Sequence, residues 1–365
     1  MNEAIPRTGA LLVNLGTPDA PDPPAVRRYL AEFLSDPRVL TMPAPIRWLL
    51  LHGIILRTRP RRSAEAYAQI WQPEGSPLLI HGEALRAQVA ERLGPDVPVA
   101  LGMRYGRPDV PGALRALVQS GVRRIVVLPL FPQYSEAATG SALAHVRRHA
   151  AALEEPVELV EIREFHADPG FVGTAAALAR PVLAEIDAQH VLLSYHGLPE
   201  SQVRRNPGCL ETPSCCDAPG PSFDVCYRAQ CLATSRALMQ ALSLEPDRCT
   251  TSFQSRLGPT RWIGPYTDVV LDDLRARGIT RLAVMCPAFV ADCLETLEEI
   301  GLRLRARWEA IGGEAFGLVP CVNAEPGWAE AVARLVRDAA GAPAAPPDEA
   351  GAVRPADATG PAPPR

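Results

Sequence analysis

Gly9–Pro18 reads GALLVNLGTP, and His190–Pro199 reads HVLLSYHGLP. Each is an apolar run that breaks off in a glycine-containing loop. A run that stays apolar rather than alternating reads as a strand covered on both faces, as in a parallel sheet. A second pair repeats the likeness: Gly121–Pro132, GVRRIVVLPLFP, resembles Gly278–Phe289, GITRLAVMCPAF. Two matched strand-to-loop junctions per half predict two similar lobes.

The stretches between these strands carry helical spacing. Helices are expected over Ala25–Leu34, Ala64–Trp71, Glu83–Leu93, Val110–Ser120, Asp268–Arg277 and Asp292–Arg305. Further strands are expected over Val97–Met103, Arg124–Leu130, Thr250–Gln254 and Arg281–Cys286, with His190–Ser194 opening the second half. Alternation of strand and helix implies an α/β fold with parallel sheets wound on both faces. In such sheets ligands sit outside the carboxyl ends of the strands, so a cleft between two doubly wound lobes is the expected site. The lobes are expected over 8–180 and 181–335. Residues 339–365 are mostly Ala, Pro and Gly and read as a disordered tail, because they bury too little to offset their ordering entropy.

Composition narrows the function classes. The 365 residues are 47% hydrophobic with a formal charge of -4, and no basic excess points to nucleic acid. Met1–Thr8 has no apolar segment behind a basic start, and no run approaches the roughly 20 apolar residues of a membrane span. The chain therefore reads as soluble and cytoplasmic. Pro45–Leu56, PIRWLLLHGIIL, is followed by Arg57, Arg59, Arg61 and Arg62. It reads either as a core helix with a solvated basic end or as an apolar lip with cationic neighbours. The lip would suit a flat apolar substrate bearing carboxylates, or peripheral contact with an anionic membrane.

The chemistry-bearing residues fall at strand ends. His196 follows a hydrophobic strand in SYHGLP, where a neutral imidazole can bind a divalent metal or accept a proton. Its bland alternative is a histidine bonded to its own loop. Glu295 and Glu299, four apart in CPAFVADCLETLEEI, share a helical face, with Glu298 beside them. Carboxylates in a first helical turn are often only dipole partners. Facing His196 across a cleft, they would instead form a metal or proton relay. Arg104 and Tyr105 follow a strand, and the arginine suits either a substrate carboxylate or a structural ion pair. Gln133, Tyr134, Ser135, Thr139, Gly140 and Ser141 form a polar loop that would hydrogen-bond substrate or cap the next helix.

At SYHGLPE, FPQYSEAATGS, TSFQSRLGPTRWIGPYTD and MCPAFVADCLETLEEI the sequence resembles the ferrochelatase family, from about residue 8 to about 335. The resemblance implies two Rossmann-like lobes around a porphyrin cleft and insertion of Fe²⁺ into protoporphyrin IX to form haem. By it, His196 and Glu295 match the active-site pair, as catalytic residues and metal ligands, with Glu299 further along the acidic line. Arg104, Tyr105, Tyr134 and Trp48 fall among the substrate-binding positions, and Pro45–Leu56 corresponds to the lip that holds the macrocycle. Where some members have a histidine two residues before the glutamate, this chain has Cys293.

Nine cysteines are present, and four cluster within CLETPSCCDAPGPSFDVC: Cys209, Cys215, Cys216 and Cys226. The stretch lies in an apparent insertion over 206–226. Four thiolates in a short loop suit a [2Fe–2S] cluster or zinc, and the adjacent pair fits no common zinc spacing. The likeness to family members with an internal cysteine segment implies the cluster, with Cys231 as a substitute ligand. Three other readings stay open: coproporphyrin III as substrate, another tetrapyrrole chelatase, and a porphyrin or haem carrier without catalysis.

Overall fold

The structure is a computed structural model and describes residues 7–212, 214–216, 223–256, 258 and 260–341. The first half contains strands β1 (Thr8–Thr17), β2 (Val99–Gly106), β3 (Arg124–Pro129) and β4 (Glu158–Glu161). Its helices are α1 (Pro23–Ser35), α2 (Ala44–Leu50), α3 (Leu56–Ile70), α4 (Pro77–Leu93), α5 (Val110–Gln119), α6 (Ser141–Ala150) and α7 (Pro169–Glu185). The second half contains β5 (His190–His196), β6 (Cys249–Gln254), β7 (Arg281–Met285) and β8 (Ala315–Leu318). With them come α8 (Glu200–Val203), α9 (Tyr227–Leu242), α10 (Thr267–Ala276), α11 (Arg305–Ala310) and α12 (Pro326–Gly341).

Each half forms a four-stranded sheet, in the orders β2-β1-β3-β4 and β6-β5-β7-β8. All pairings are parallel. The orders are the same once β1 is matched to β5 and β3 to β7. These are the pairs whose sequences resemble each other, and the α/β, doubly wound architecture follows as expected. Both β1 and β5 are flanked on both sides, which is why they are buried almost throughout.

Local chemistry sets the helix starts. Asp22 caps α1 through Ala25 N at 2.8 Å, and Asp109 caps α5 through Gly112 N at 2.7 Å. Asp168 caps α7 through the amides of Gly170 and Phe171. A proline follows within the first two positions of each, where no amide donor is needed. Gly16 is a case of necessity. At φ 119° a Cβ there would lie 1.7 Å from the Tyr105 carbonyl oxygen, so only glycine lets β1 and β2 close at their carboxyl ends.

Two helices tie the halves together. α7 packs on β7, β8 and α9, while α12 returns to pack on α4, α7 and β3. One apolar core accordingly includes Leu12 and Val126 of the first sheet with Leu193 and Ala283 of the second. Several elements were not anticipated from sequence: β4, β8, α7 and α12. The expected tail begins too early, because residues 339–341 finish α12, whose apolar face holds them in register. Residues 342–365 lie outside the described residues.

Two departures concern helix type. The expected α-helix over Asp292–Arg305 is a π-helix over Leu294–Leu304 that continues as α11. A shorter π-turn, Leu51–Ile55, joins α2 to α3. Ile46, Trp48, Leu49 and Ile54 around this turn are more than half exposed, so the core-helix reading fails for them, while Leu51, Ile55 and Leu56 pack inward. Among the described residues, no helix is long and apolar enough to cross a membrane.

Candidate active site

The carboxyl ends of β5, β6 and β7 converge on one face. His196 is the last residue of β5 and pairs in the ladder with Gln254, the last residue of β6. Its ring lies between Trp262 and Phe289, 6.4 Å from each ring centre. Its Nδ1 is 2.6 Å from the Gly197 carbonyl oxygen. A carbonyl can only accept, so Nδ1 carries the hydrogen, and in the neutral ring the lone pair is on Nε2. The bland alternative for His196, a histidine bonded to its own loop, thus describes one ring nitrogen and leaves the other available for chemistry.

Gln254 joins this strand end to the acidic helix. It accepts from Ser194 at 2.7 Å and donates from Nε2 to the Glu295 carbonyl at 3.0 Å. Ser255, the next residue, is in the left-handed region and gives both its amide (2.9 Å) and its hydroxyl (2.6 Å) to Glu299. Glu295 and Glu299 are both half-buried. Burial pushes the Glu299 carboxyl up, the Ser255 bonds and the charges of a protonated His196 and of Arg303 pull it down, and Glu295 raises it again; the net direction is up. Glu299 therefore lies within electrostatic reach of both His196 and Glu295. Glu298 does not join them. It is buried and paired with Arg303, whose Nε lies 2.8 and 2.9 Å from its two oxygens. That pair is five apart, the spacing a π-helix stacks on one face.

Cys293 caps this π-helix. Its thiol accepts from the Thr296 amide while Thr296 Oγ1 accepts from the Cys293 amide at 3.0 Å. Burial, and then the neighbouring Glu295, push the thiol well up. The cysteine at this position is a helix start, and its thiol is occupied. Two tyrosines that sequence reasoning missed, Tyr29 and Tyr67, are buried within electrostatic reach of Glu295. They come from α1 and α3, and only packing brings them here.

The sequence-stated candidates of the first half divide. Arg104 is largely buried and its Nη2 lies 2.5 Å from Asp36 Oδ2, so the ion-pair alternative describes it. Tyr105 is fully buried and donates to the same oxygen at 2.9 Å, and Ser141 also donates to it. Tyr134 is buried, donates to Glu136 and lies under the Arg163 guanidinium. In the polar loop, Ser135 caps the turn Glu136–Gly140 through Ala138 N at 3.2 Å. Trp48 stands on the exposed lip, against the His52 ring.

The cysteine segment lies beside the His196 loop. Cys209, Cys216 and Cys226 are buried and Cys215 is partly exposed; all are free thiols. The Cys215 and Cys216 sulfurs are 3.6 Å apart, and Cys226 hydrogen-bonds with both Cys209 and Cys216. The Cys226 bond, and then burial, push the Cys216 thiol up. Arg228 donates to the Cys216 sulfur at 3.3 Å. Among the described residues no three His, Cys, Asp or Glu side chains are gathered closely enough to hold a single ion. The donor set still suits a two-iron cluster, which asks for two thiolates per iron rather than three on one ion. Cys231 is fully buried, hydrogen-bonded with Tyr227 and within electrostatic reach of Cys216.

Comparisons with known proteins agree along nearly the whole chain. The family model described as Ferrochelatase matches residues 7–340. A ferrochelatase of Coxiella burnetii is 46% identical over 335 residues, 91% of this chain and 93% of that protein. One of Azotobacter vinelandii is 47% identical over 332 residues, 90% and 97% of the two chains. Among solved structures, SirB from Bacillus subtilis with Fe³⁺ superposes with a TM-score of 0.53 at 14% identity, covering 92% of this chain and 96% of that one. That likeness speaks for the fold.

Proposed function

The chain belongs to the ferrochelatase family, and from that premise we infer that it inserts Fe²⁺ into protoporphyrin IX, releasing two protons to form protohaem. The observation that carries the reading is the meeting of His196 and the acidic π-helix at the paired ends of β5 and β6.

Insertion requires two pyrrole protons to leave and one divalent cation to arrive. His196 Nε2 offers one lone pair, which serves a proton or the ion but not both together. Glu295 and Glu299 provide further acceptors in line, and the raised Glu299 shares protons more readily than a fully ionised carboxylate. The exposed side chains of Ile46, Trp48, Leu49 and Ile54 supply an apolar surface for the macrocycle, which argues against a substrate with eight carboxylates. Bending the flat ring there would turn its nitrogen lone pairs toward the incoming metal.

His196→Ala and Glu295→Gln are each expected to lower anaerobic Fe²⁺ insertion by about 10²-fold or more while porphyrin affinity changes by less than about threefold. Full turnover in both variants would remove the catalytic assignment, and a parent protein that binds porphyrin without turnover would make it a carrier. The same assay with coproporphyrin III decides between two vinyls and two propionates.

In the cysteine segment we place a [2Fe–2S] cluster held by Cys209, Cys215, Cys216 and Cys226. Burial raises the Cys209 thiol, and the Cys226 bond and then burial raise that of Cys216; coordination to iron would offset this, since ligating thiols lose their protons. Bound there, the cluster cross-links the segment. No electron is needed from it, because Fe²⁺ keeps its oxidation state on insertion. The purified protein should be red-brown, with visible absorbance lost in Cys209→Ser. A colourless, zinc-containing preparation would overturn the assignment.

A further inference from the structure

The first turn of α9 touches three things at once: the cysteine segment, the candidate catalytic histidine and the loop after β3. Cys226 is its N-cap residue. Tyr227, next in the chain, is buried and donates its hydroxyl to the His196 carbonyl at 2.8 Å. Arg228 reaches back to the Cys216 sulfur at 3.3 Å. Gln230, fully buried, donates to the Asp224 carbonyl at 2.9 Å, two residues before Cys226, and accepts from the Tyr134 amide at 2.6 Å. One turn further on, Thr234 accepts from Gln133 at 2.9 Å and donates to the His166 carbonyl at 2.7 Å.

We propose that Tyr227 and Gln230 are positioning residues through which the cysteine segment holds His196 and the Gln133–Ser135 loop in place for metal insertion. The proposal rests on the reading of that segment as cluster-binding. Its physical basis is the shortness of the path. Cys226 and Tyr227 are adjacent, so a displacement of the cysteine backbone moves the tyrosine hydroxyl and with it the carbonyl of His196. That carbonyl leads directly into Gly197, whose own carbonyl fixes Nδ1 of the ring. Gly197 is itself held close against the end of β6. Its amide is bonded to the Gln254 carbonyl at 2.8 Å, and a Cβ there would lie 2.9 Å from the same oxygen. All these polar groups are buried or nearly so, where a lost partner is not replaced by bulk water.

Tyr227→Phe removes one oxygen and leaves the packing volume. It is expected to retain the visible spectrum, to lower kcat about five- to tenfold and to change KM for porphyrin by less than about twofold. Hydrogen–deuterium exchange should rise across Tyr195–Leu198. Cys209→Ser, which removes the cluster, should raise exchange over the same stretch. The double variant should then be less than about twofold slower than the slower single variant, because both changes cut one path. Full kcat in Tyr227→Phe overturns the proposal, as do losses that multiply in the double variant. Gln230→Met guards against a fold defect: expected is unchanged helix content by circular dichroism, with exchange rising over 133–135. Unaltered exchange there removes Gln230 from the proposal. A colourless parent enzyme would overturn the cluster reading and the transmission from the cysteines, whereas kcat in Tyr227→Phe still decides whether that hydroxyl positions His196.

Discussion

Asp36 is 68 residues from Arg104 in the chain, and a single carboxylate oxygen of it collects Arg104, Tyr105 and Ser141. Burial works against its charge. The bonds from Ser141, the Arg38 amide and Tyr105, together with the Arg104 charge, outweigh that and hold the carboxyl below its ordinary value. A carboxyl depressed on folding stabilises the fold above its unfolded value, and the contribution is lost as pH falls through the folded one. Asp36→Asn leaves Arg104 buried without its counter-charge and should lower stability by about 3 kcal/mol near pH 7, read from urea unfolding. The difference between parent and variant should shrink below about pH 4. A difference under about 0.5 kcal/mol at neutral pH would mean that Arg104 finds another partner. In the sequence Arg104 suited a substrate carboxylate or an ion pair equally, and nothing local could choose. The choice is made by the end of α1, which a strand-end motif does not foretell.

The helix bearing Glu295 and Glu299 shows what periodicity can and cannot say about an element. Four-residue spacing placed the two carboxylates together, and they are together. The same spacing gave an α-helix, and the element is a π-helix whose five-residue stacking draws Glu298 to Arg303 instead. Helix type depends on capping and on what packs against the face. Here those are Cys293 with Thr296, the Gln254 bond to the Glu295 carbonyl, and Ser255 on Glu299. Gln254 and Ser255 stood in the FQSR stretch, but only the β6–β5 ladder puts them beside His196. The raised Glu299 carries a kinetic prediction. It takes a proton at a higher pH than an ordinary glutamate does, so the acid limb of kcat should lie at higher pH than an ordinary glutamate would place it. In Glu299→Gln that limb should move to lower pH, with kcat reduced about tenfold on the plateau. An unmoved limb would assign it to a different group.

At the scale of the whole molecule, the repeated strand motifs made two lobes legible, because short buried strands and glycine loops are local signals. The crossing of α7 and α12 between them was not, because it depends on faces that meet only after both sheets exist. Trp328 of α12 is fully buried against Phe165 and Phe171, at ring-centre distances of 5.2 and 5.6 Å. Phe165 follows β4 and bonds back to Pro132 of the first half, while Phe171 belongs to α7, which covers the second sheet. A single indole thus joins both halves and the last helix. Because the apolar core is continuous through this point, the two sheets should unfold together rather than as separate domains. Trp328→Ala should cost about 3–5 kcal/mol, the range for emptying a large buried aromatic site. Far-ultraviolet circular dichroism and intrinsic fluorescence should still report one coincident transition, shifted to lower denaturant. Two separated transitions in the parent would show that the sheets are independent, and a loss below about 1 kcal/mol in the variant would show that α12 is held elsewhere along its length. One coincident transition also bears on the site, because His196 and the π-helix hang from the second sheet while the lip, Tyr29 and Tyr67 hang from the first. A joint that lets the sheets drift would separate metal handling from macrocycle binding, so Trp328→Ala should raise KM for porphyrin at temperatures well below its own melting point.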